Sequence, residues 1–407
     1  MGGLQYHIEF LIMSKKIKFY YFAPHPVPYH IGIYKELAKL ESLEFCVIYE
    51  DDIGIRPTYV KEFKKIIKWD INLLSGYPHE FMKNYSSKPH GGFLSRVNFS
   101  IFKKILVDRP DVILFKGYTS FSDWLIMLLA KATRTKIIFR GEATLRGTEN
   151  NPVFKQQLKN FFLKKWLKMC DMVMYSCSGN KEYFKHYGVN ENVMLPIPCA
   201  VDNGFFQNER KKYIGKECGI KKELHIDEGD FVIIYVSRMN SNKNLNALVE
   251  AVNKIEHKNI NLLFVGDGPE KEKIEKLCKS YSIKSTFVGF KNITEISKYY
   301  SISDLFVLLS KDFENSPKAL NEAMNFEVPV IITNLAGTVK DLVIDDENGY
   351  SVNPLDIDEI GIQIHYLNKN RYVAKKMGEK SLEIVNRWTF EKGAYFINEA
   401  INIIMRK

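Results

Sequence analysis

The 407-residue sequence lacks long apolar runs. Nothing in it approaches the roughly 20 apolar residues that a membrane-spanning helix needs; the longest candidate, Trp124–Ala130, stops at Lys131. Cysteine pairs of the C-x-x-C type are also missing. The six cysteines (Cys46, Cys170, Cys177, Cys199, Cys218, Cys278) suit neither a disulfide framework nor a zinc site, and a reduced, cytoplasmic protein is expected, with the thiols acting as small buried apolar groups. The nine histidines include no metal-ligand pair at helical spacing. Repeats and low-complexity tracts are absent too. Residues 1–12, MGGLQYHIEFLI, lack the basic, apolar, small-residue order of a signal peptide and are expected to form a loose extension before Met13.

What is present is a moderately apolar chain with uneven charge. Residues 1–200 hold 29 Lys and Arg against 18 Asp and Glu; residues 201–407 hold 29 against 30. The excess of the first half fits an anionic partner such as phosphates or an anionic membrane face, and equally a plain solubility surface. No recognisable nucleic-acid module accompanies it, and no nucleic-acid partner is expected.

Short apolar runs alternate with helical spacing. In the first half, strands are expected at 16–24 and over FCVIYE, VILFKG, KIIFRGE and MVMYSC, with a helix at 31–40. Residues 202–228 are polar and read as a connection. The pattern restarts with strands at 230–238, 260–269, 285–290, 304–310, 328–334 and 349–352, alternating with helices at 244–255, 270–281, 293–301, 317–326 and 338–344. Such alternation predicts an α/β fold of two doubly wound parallel-sheet domains. The expected organisation is the extension 1–12, a first Rossmann-like domain over 13–205, a second over 206–386, and an amphipathic terminal helix over 387–407.

In an open parallel sheet, ligands lie beyond the carboxyl ends of the strands. The stretch DLFVLLSKDFENSPKALNE (304–322) places Glu314 in such a rim loop and Glu322 in the helix behind it. Ser316 reads as the cap and Pro317 as the first residue of that helix, whose N-terminus would favour a diphosphate. Two carboxylates flanking a diphosphate suit hydroxyls on either side, which is the outline of a nucleotide-sugar. Arg238 and Lys243 supply cations from another rim loop. Gly266 and Asp267 belong to the tight turn VGDGP, and Gly289 with Phe290 ends a strand where a flat base can approach the backbone. Taken singly, each acid also reads as a solvated side chain and GDGP as an ordinary turn; His30 reads equally as packed, and Arg140 and Glu142 as a simple pair.

In order, R-x(4)-K, VGDGP, E-x(7)-E, EAM with PVI, and the G-x-x-x-D-L-V segment before NGY resemble glycosyltransferase family 4, the retaining GT-B enzymes. The likeness runs over most of 13–400 and is strongest over 230–355. It implies two Rossmann-like domains facing across a cleft, with the terminal helix crossing back to the first. It also implies transfer of a hexose-type sugar from a nucleotide diphosphate donor, UDP-sugar foremost, to a glycan or lipid-linked glycan of bacterial surface polysaccharide. Arg238 and Lys243 would hold the diphosphate, Glu314 would meet the donor sugar, and Glu322 the ribose. Asn315, Ser316 and Lys318 would complete the donor site. No cofactor and no metal is expected, and no D-x-D lies beside the donor site. A peripheral contact with an anionic inner membrane face is expected as well. The chain departs from the family at Pro317, where glycine is usual, and at IIFRGEATLRG, where many members carry a histidine. His30, Arg140 and Glu142 are the cleft candidates there. A GT-B nucleotide-sugar epimerase or a non-catalytic binding protein stays open as an alternative.

Overall fold

Uninterrupted β-branched and aromatic runs need burial on both sheet faces, and they receive it here. The computed structural model describes residues 16–55, 58–60, 65–67, 69–88, 91–148, 153–256, 258–312 and 314–406. The extension at 1–12 lies outside these residues. The first sheet is built from β1 (Ile17–Ala23), β2 (Leu43–Tyr49), β5 (His79–Phe81), β6 (Val112–Lys116), β7 (Lys136–Gly141), β8 (Met172–Tyr175) and β9 (Met194–Pro196). Its order is β5-β2-β1-β6-β7-β8-β9, with every pair parallel. A two-stranded antiparallel ribbon, β3 (Thr58–Val60) and β4 (Lys65–Ile67), stands apart.

The second sheet contains β10 (Phe231–Val236), β11 (Ile260–Val265), β12 (Lys284–Gly289), β13 (Leu305–Leu308), β14 (Val330–Thr333) and β15 (Gly349–Val352). Its order, β12-β11-β10-β13-β14-β15, is that of a doubly wound sheet, again all parallel. The strand order reverses between β1 and β6 in one sheet and between β10 and β13 in the other. Each reversal opens a crevice at the carboxyl rim, and the two rims face each other.

Helices α1 (Pro28–Ala38), α2 (Phe121–Thr133), α3 (Val153–Lys168) and α4 (Ser178–His186) cover the first sheet. Around the second lie α7 (Leu245–Asn253), α8 (Lys271–Ser280), α9 (Ile293–Tyr300), α10 (Lys318–Met324), α11 (Val339–Leu342), α12 (Ile357–Lys369) and α13 (Arg371–Val385). The last helix, α14 (Phe390–Met405), returns to the first sheet. Its Ala394, Ile397, Ala400, Ile401 and Ile404 are buried in one core cluster with Ile33, Leu37 and Ile197. The GT-B expectation, including this crossover, is therefore borne out.

Several elements differ from expectation. The polar stretch 202–228 is two helices, α5 (Asn203–Tyr213) and α6 (Glu217–Glu223), each burying little more than one apolar side chain: Phe206 and Ile220. The helix expected over 338–344 is the single turn α11. The one expected from 317 starts at Lys318, because Pro317 adopts ψ 118 and stands outside it as the cap position. Cys177, Cys199 and Cys278 are buried, whereas Cys218 is exposed.

Candidate active site

The site forms where loops from the two reversal points meet. On the second domain, the loop after β10 carries Ser237, Arg238 and Lys243, and the loop after β13 carries Ser310, Glu314 and Asn315. Adjacent strand ends put opposite charges side by side, so Lys243 Nζ pairs directly with Glu314 Oε2, which also accepts from Ser310 Oγ at 3.0 Å. Glu314 and Lys243 were expected to address different parts of one ligand; here they address each other. Arg238 is exposed and forms no ion pair among the described residues.

The turn after β11 presses against the Arg238 loop. Gly266 has φ +133°, and a Cβ there would lie 1.9 Å from the Ser237 carbonyl oxygen. Gly268 has φ +154°, with a Cβ position 2.4 Å from the Met239 carbonyl oxygen. Only glycine fits both demands. The Met239 N–H donates to the Asp267 carbonyl at 2.9 Å, and the Gly266 N–H to the Gly289 carbonyl at 2.9 Å, which ties three rim loops into one wall.

That wall bounds a cavity of about 160 Å³, lined by Arg238, Gly266, Phe290, Glu322 and, from the first domain, Tyr29 and Trp69. Glu322 is only 3% exposed. Its two oxygens accept from Tyr29 Oη at 3.0 Å and Tyr300 Oη at 2.9 Å. Burial raises its pKa, opposed by these two hydrogen bonds. The carboxylate lines the cavity from the helix behind the rim loop and is held there between two phenols. Neither tyrosine was anticipated. Tyr29 lies in the first turn of α1, within the stretch PHPVPYHIG at 24–32.

Ser316 and Asn315 also differ from expectation. Ser316 Oγ is buried and makes no hydrogen bond among the described residues, since a residue preceding proline is driven to extended backbone and the helix begins beyond it. With seven residues, α10 has a weak dipole, so the cations outweigh it. Asn315 turns to the first domain, donating to Ser176 Oγ at 3.0 Å and accepting from Cys177 Sγ at 3.1 Å. Lys318 likewise reaches across and donates to the Cys199 carbonyl at 3.0 Å.

Opposite lies a charged cluster at the first sheet's reversal point. Glu142 Oε1 is 3.0 Å from Lys116 Nζ, 3.1 Å from Arg140 and 3.9 Å from His30 Nε2. His30 Nε2 is 3.0 Å from Lys116 Nζ. All three partners engage one carboxylate oxygen, and Glu142 remains 41% exposed. Lys116 holds this carboxyl well below the usual range, helped by Arg140, His30 and Lys318. Burial, then Lys116, lowers the His30 imidazole well below its ordinary value. The structure thus brings His30, Arg140 and Glu142 together and adds Lys116, which the sequence reading passed over. Buried Arg140 also donates to Tyr21 Oη at 3.1 Å.

Further polar contacts join the domains beside the cleft. The Ser178 N–H donates to Asp341 Oδ2 at 2.8 Å, and the Gly179 N–H to the Gly337 carbonyl at 2.9 Å. On the other side, the Thr294 N–H donates to Asp70 Oδ2 at 3.0 Å.

Residues 219–383 match the family described as Glycosyl transferases group 1, so a domain of that kind occupies the second half of the chain. N-acetyl-alpha-D-glucosaminyl L-malate synthase of Bacillus anthracis is 30% identical over 181 residues, 44% of this chain and 47% of that one. The GalNAc-alpha-(1->4)-GalNAc-alpha-(1->3)-diNAcBac-PP-undecaprenol alpha-1,4-N-acetyl-D-galactosaminyltransferase of Campylobacter jejuni is 23% identical over 257 residues, 62% of this chain and 64% of that one. The chain thus spans less than two thirds of the length of these relatives. Among solved structures, Anabaena Alr3699/HepE in complex with UDP superposes with a TM-score of 0.70 at 15% identity, covering 95% of this chain and 99% of that one. At that identity the likeness concerns the fold.

Proposed function

We propose that this chain, with its glycosyl transferases group 1 domain, is a retaining glycosyltransferase of family 4 that uses a UDP-sugar donor. One observation carries the reading: at the β10/β13 reversal, a glycine-walled cavity brings together Arg238, which makes no ion pair among the described residues, a buried Glu322 and Phe290, beside the Lys243–Glu314 pair. An aromatic and backbone wall suits a base, a buried carboxylate suits ribose hydroxyls, and cations suit a diphosphate. The solved UDP complex of a protein with this fold supports the choice of base.

In this reading Lys243 and Glu314 exchange partners when donor binds. Lys243 turns to the diphosphate, and Glu314 accepts from a hydroxyl of the hexose. Charge grows on the diphosphate as the glycosidic bond breaks, and Arg238, Lys243 and Lys318 stabilise it without a metal. The acceptor hydroxyl enters from the first domain, past Glu142, and attacks the face from which the diphosphate departs, its proton passing to an oxygen of the departing diphosphate. Glu142, held ionised by Lys116 and Arg140, is suited to accept hydrogen bonds from sugar hydroxyls and to stabilise positive charge at the anomeric carbon. The acceptor is a glycan or lipid-linked glycan of bacterial surface polysaccharide, worked on at the cytoplasmic side.

Thermal unfolding of the full chain with UDP, GDP and ADP tests the donor assignment. Stabilisation by UDP above the others is expected, about 2.7 kcal/mol at a concentration 100 times Kd. No response to any nucleotide refutes it. Incubation with UDP-sugars alone then separates transfer from epimerisation: an isomerised sugar without acceptor overturns the transferase reading.

A further inference from the structure

Part of the donor cavity is walled by the other domain. Tyr29 and Trp69 line it from the first domain, whereas the rest of its lining, Gly266 and Phe290 included, comes from the second. The two aromatics stand at different ends. Tyr29 Oη donates to Glu322, which puts it at the carboxylate end. Trp69 is followed by Asp70, whose Oδ2 accepts from the Thr294 N–H at 3.0 Å and also from the Thr294 hydroxyl. Thr294 lies in the first turn of α9, between Ile293 and Ile296, both of which line the cavity, and four residues after Phe290. Consecutive Cα atoms are only about 3.8 Å apart, so this contact pins Trp69 at the Phe290 end.

The two ends differ in chemistry. Arg238 and Glu322 make one end polar; Phe290, Ile293 and Ile296 make the other apolar, and the indole of Trp69 adds a second aromatic surface to it. Trp69 is half-buried. Together with Ile71 and Leu74 it packs against the core of the first sheet, which fixes the side chain and leaves the rest of its surface to the cavity. An apolar end bounded by aromatic rings, next to a carboxylate suited to hydroxyls, takes a flat heterocycle joined to a sugar. Every nucleobase has such a face, and stacking on an aromatic side chain uses it.

We infer that Trp69 is a base-binding residue supplied by the first domain: its indole covers the nucleobase of the donor while Glu322 holds the ribose. This deepens the nucleotide-sugar reading and rests on it. The nucleotide then spans both domains. Asp70 is a positioning residue, which acts by clasping Thr294 and so holding the indole over the base. Base recognition therefore needs the two domains together, although most of the donor cavity belongs to the second.

Tryptophan emission and calorimetric titration of the full chain with UDP test the inference on the same samples. Of the four tryptophans, Trp69 is the one that lines the cavity; Trp124 and Trp166 pack on each other at 5.4 Å, and Trp388 precedes α14. UDP should quench the parental emission. Trp69→Phe keeps a ring and should still bind UDP, but without the quenching. Trp69→Ala should bind UDP about tenfold or more weakly, because the stacked base loses its partner. Asp70→Ala changes an exposed side chain and should also weaken UDP. The double variant Trp69→Ala/Asp70→Ala should bind as Trp69→Ala does, because Asp70 acts only through the indole. Full quenching in Trp69→Phe, or parental UDP affinity in a folded Trp69→Ala, overturns the inference and leaves the donor reading standing. Additive losses in the double variant overturn it as well, since Asp70 would then act without Trp69. A parent that binds no nucleotide by calorimetry refutes the donor reading, and this inference with it.

Discussion

Replacing Glu322 separates the two tasks assigned to one carboxylate. In Glu322→Ala, two phenols lose their acceptor. Tyr300 is fully buried, and among the described residues its other acceptor is the Ala319 carbonyl, at a long 3.4 Å. Tyr29 borders the cavity and can turn to water. A buried donor left without an acceptor costs about 1–3 kcal/mol. The full penalty applies at Tyr300 and a part at Tyr29, giving a loss of about 2–4 kcal/mol. Glu322→Gln keeps one carbonyl acceptor and the side-chain shape. A phenol can also accept from the new amide, so the stability change should stay within about 1 kcal/mol. Nucleotide affinity should respond differently. A hydrogen bond from ribose to an ionised carboxylate is worth about 1.5–3 kcal/mol, so both variants should bind UDP about 10- to 100-fold more weakly. Denaturant unfolding gives the first quantity and calorimetric titration the second. Parental UDP affinity in Glu322→Gln refutes the ribose assignment. A loss below about 1 kcal/mol in Glu322→Ala refutes the account of the tyrosine pair.

Arg238→Ala removes an exposed side chain and should leave stability within about 0.5 kcal/mol while weakening UDP about tenfold or more, compared by unfolding and titration. Gly266→Ala places a methyl 1.9 Å from a backbone carbonyl at φ +133° and should destabilise by about 2–4 kcal/mol, whereas Gly219→Ala, with nothing within 4 Å, should be neutral or stabilising. His30, whose folded pKa lies below its ordinary 6.5, binds fewer protons folded than unfolded just below that pH, so stability should fall as pH drops through 6.5. The slope reaches at most about 1.4 kcal/mol per pH unit, and His30→Gln should remove it from urea midpoints measured between pH 7 and 5. The Glu142 carboxyl acts with the same sign at lower pH: its folded pKa is depressed, so its contribution is present above the ordinary value of 4.5 and disappears on further acidification.

The six strands of the second sheet were legible because central parallel strands are apolar on both faces: Phe231–Tyr235 and Ile260–Val265 are buried throughout. The alternation with helices then gave the doubly wound fold. Weakly apolar elements were not legible. Strand β5 exposes Glu80 and Phe81, and α5 and α6 lie in highly polar sequence, so periodicity carries little signal there. At the site, ordered motifs pointed to Arg238, Lys243, Glu314 and Glu322. Tyr29, Lys116 and Tyr300 escaped because their importance comes from contacts that local sequence does not announce, 293 residues apart for Tyr29 and Glu322. The displaced start of α10 follows from a local conflict: Pro317 favours a first helical turn, while its effect on Ser316 delays one.

The return of α14 to the first sheet bears on how the chain is made. A ribosome releases the first domain's strands early, yet the residues that close one face of that domain are the last sixteen-residue helix. Until it emerges, Ile33, Leu37 and Ile197 have no cover, and the nascent first domain presents a greasy flank while its neighbour is already complete. Shortening the polypeptide at its tail should therefore damage the half translated first, visible as protease nicking near α1 while the second half persists as a resistant fragment.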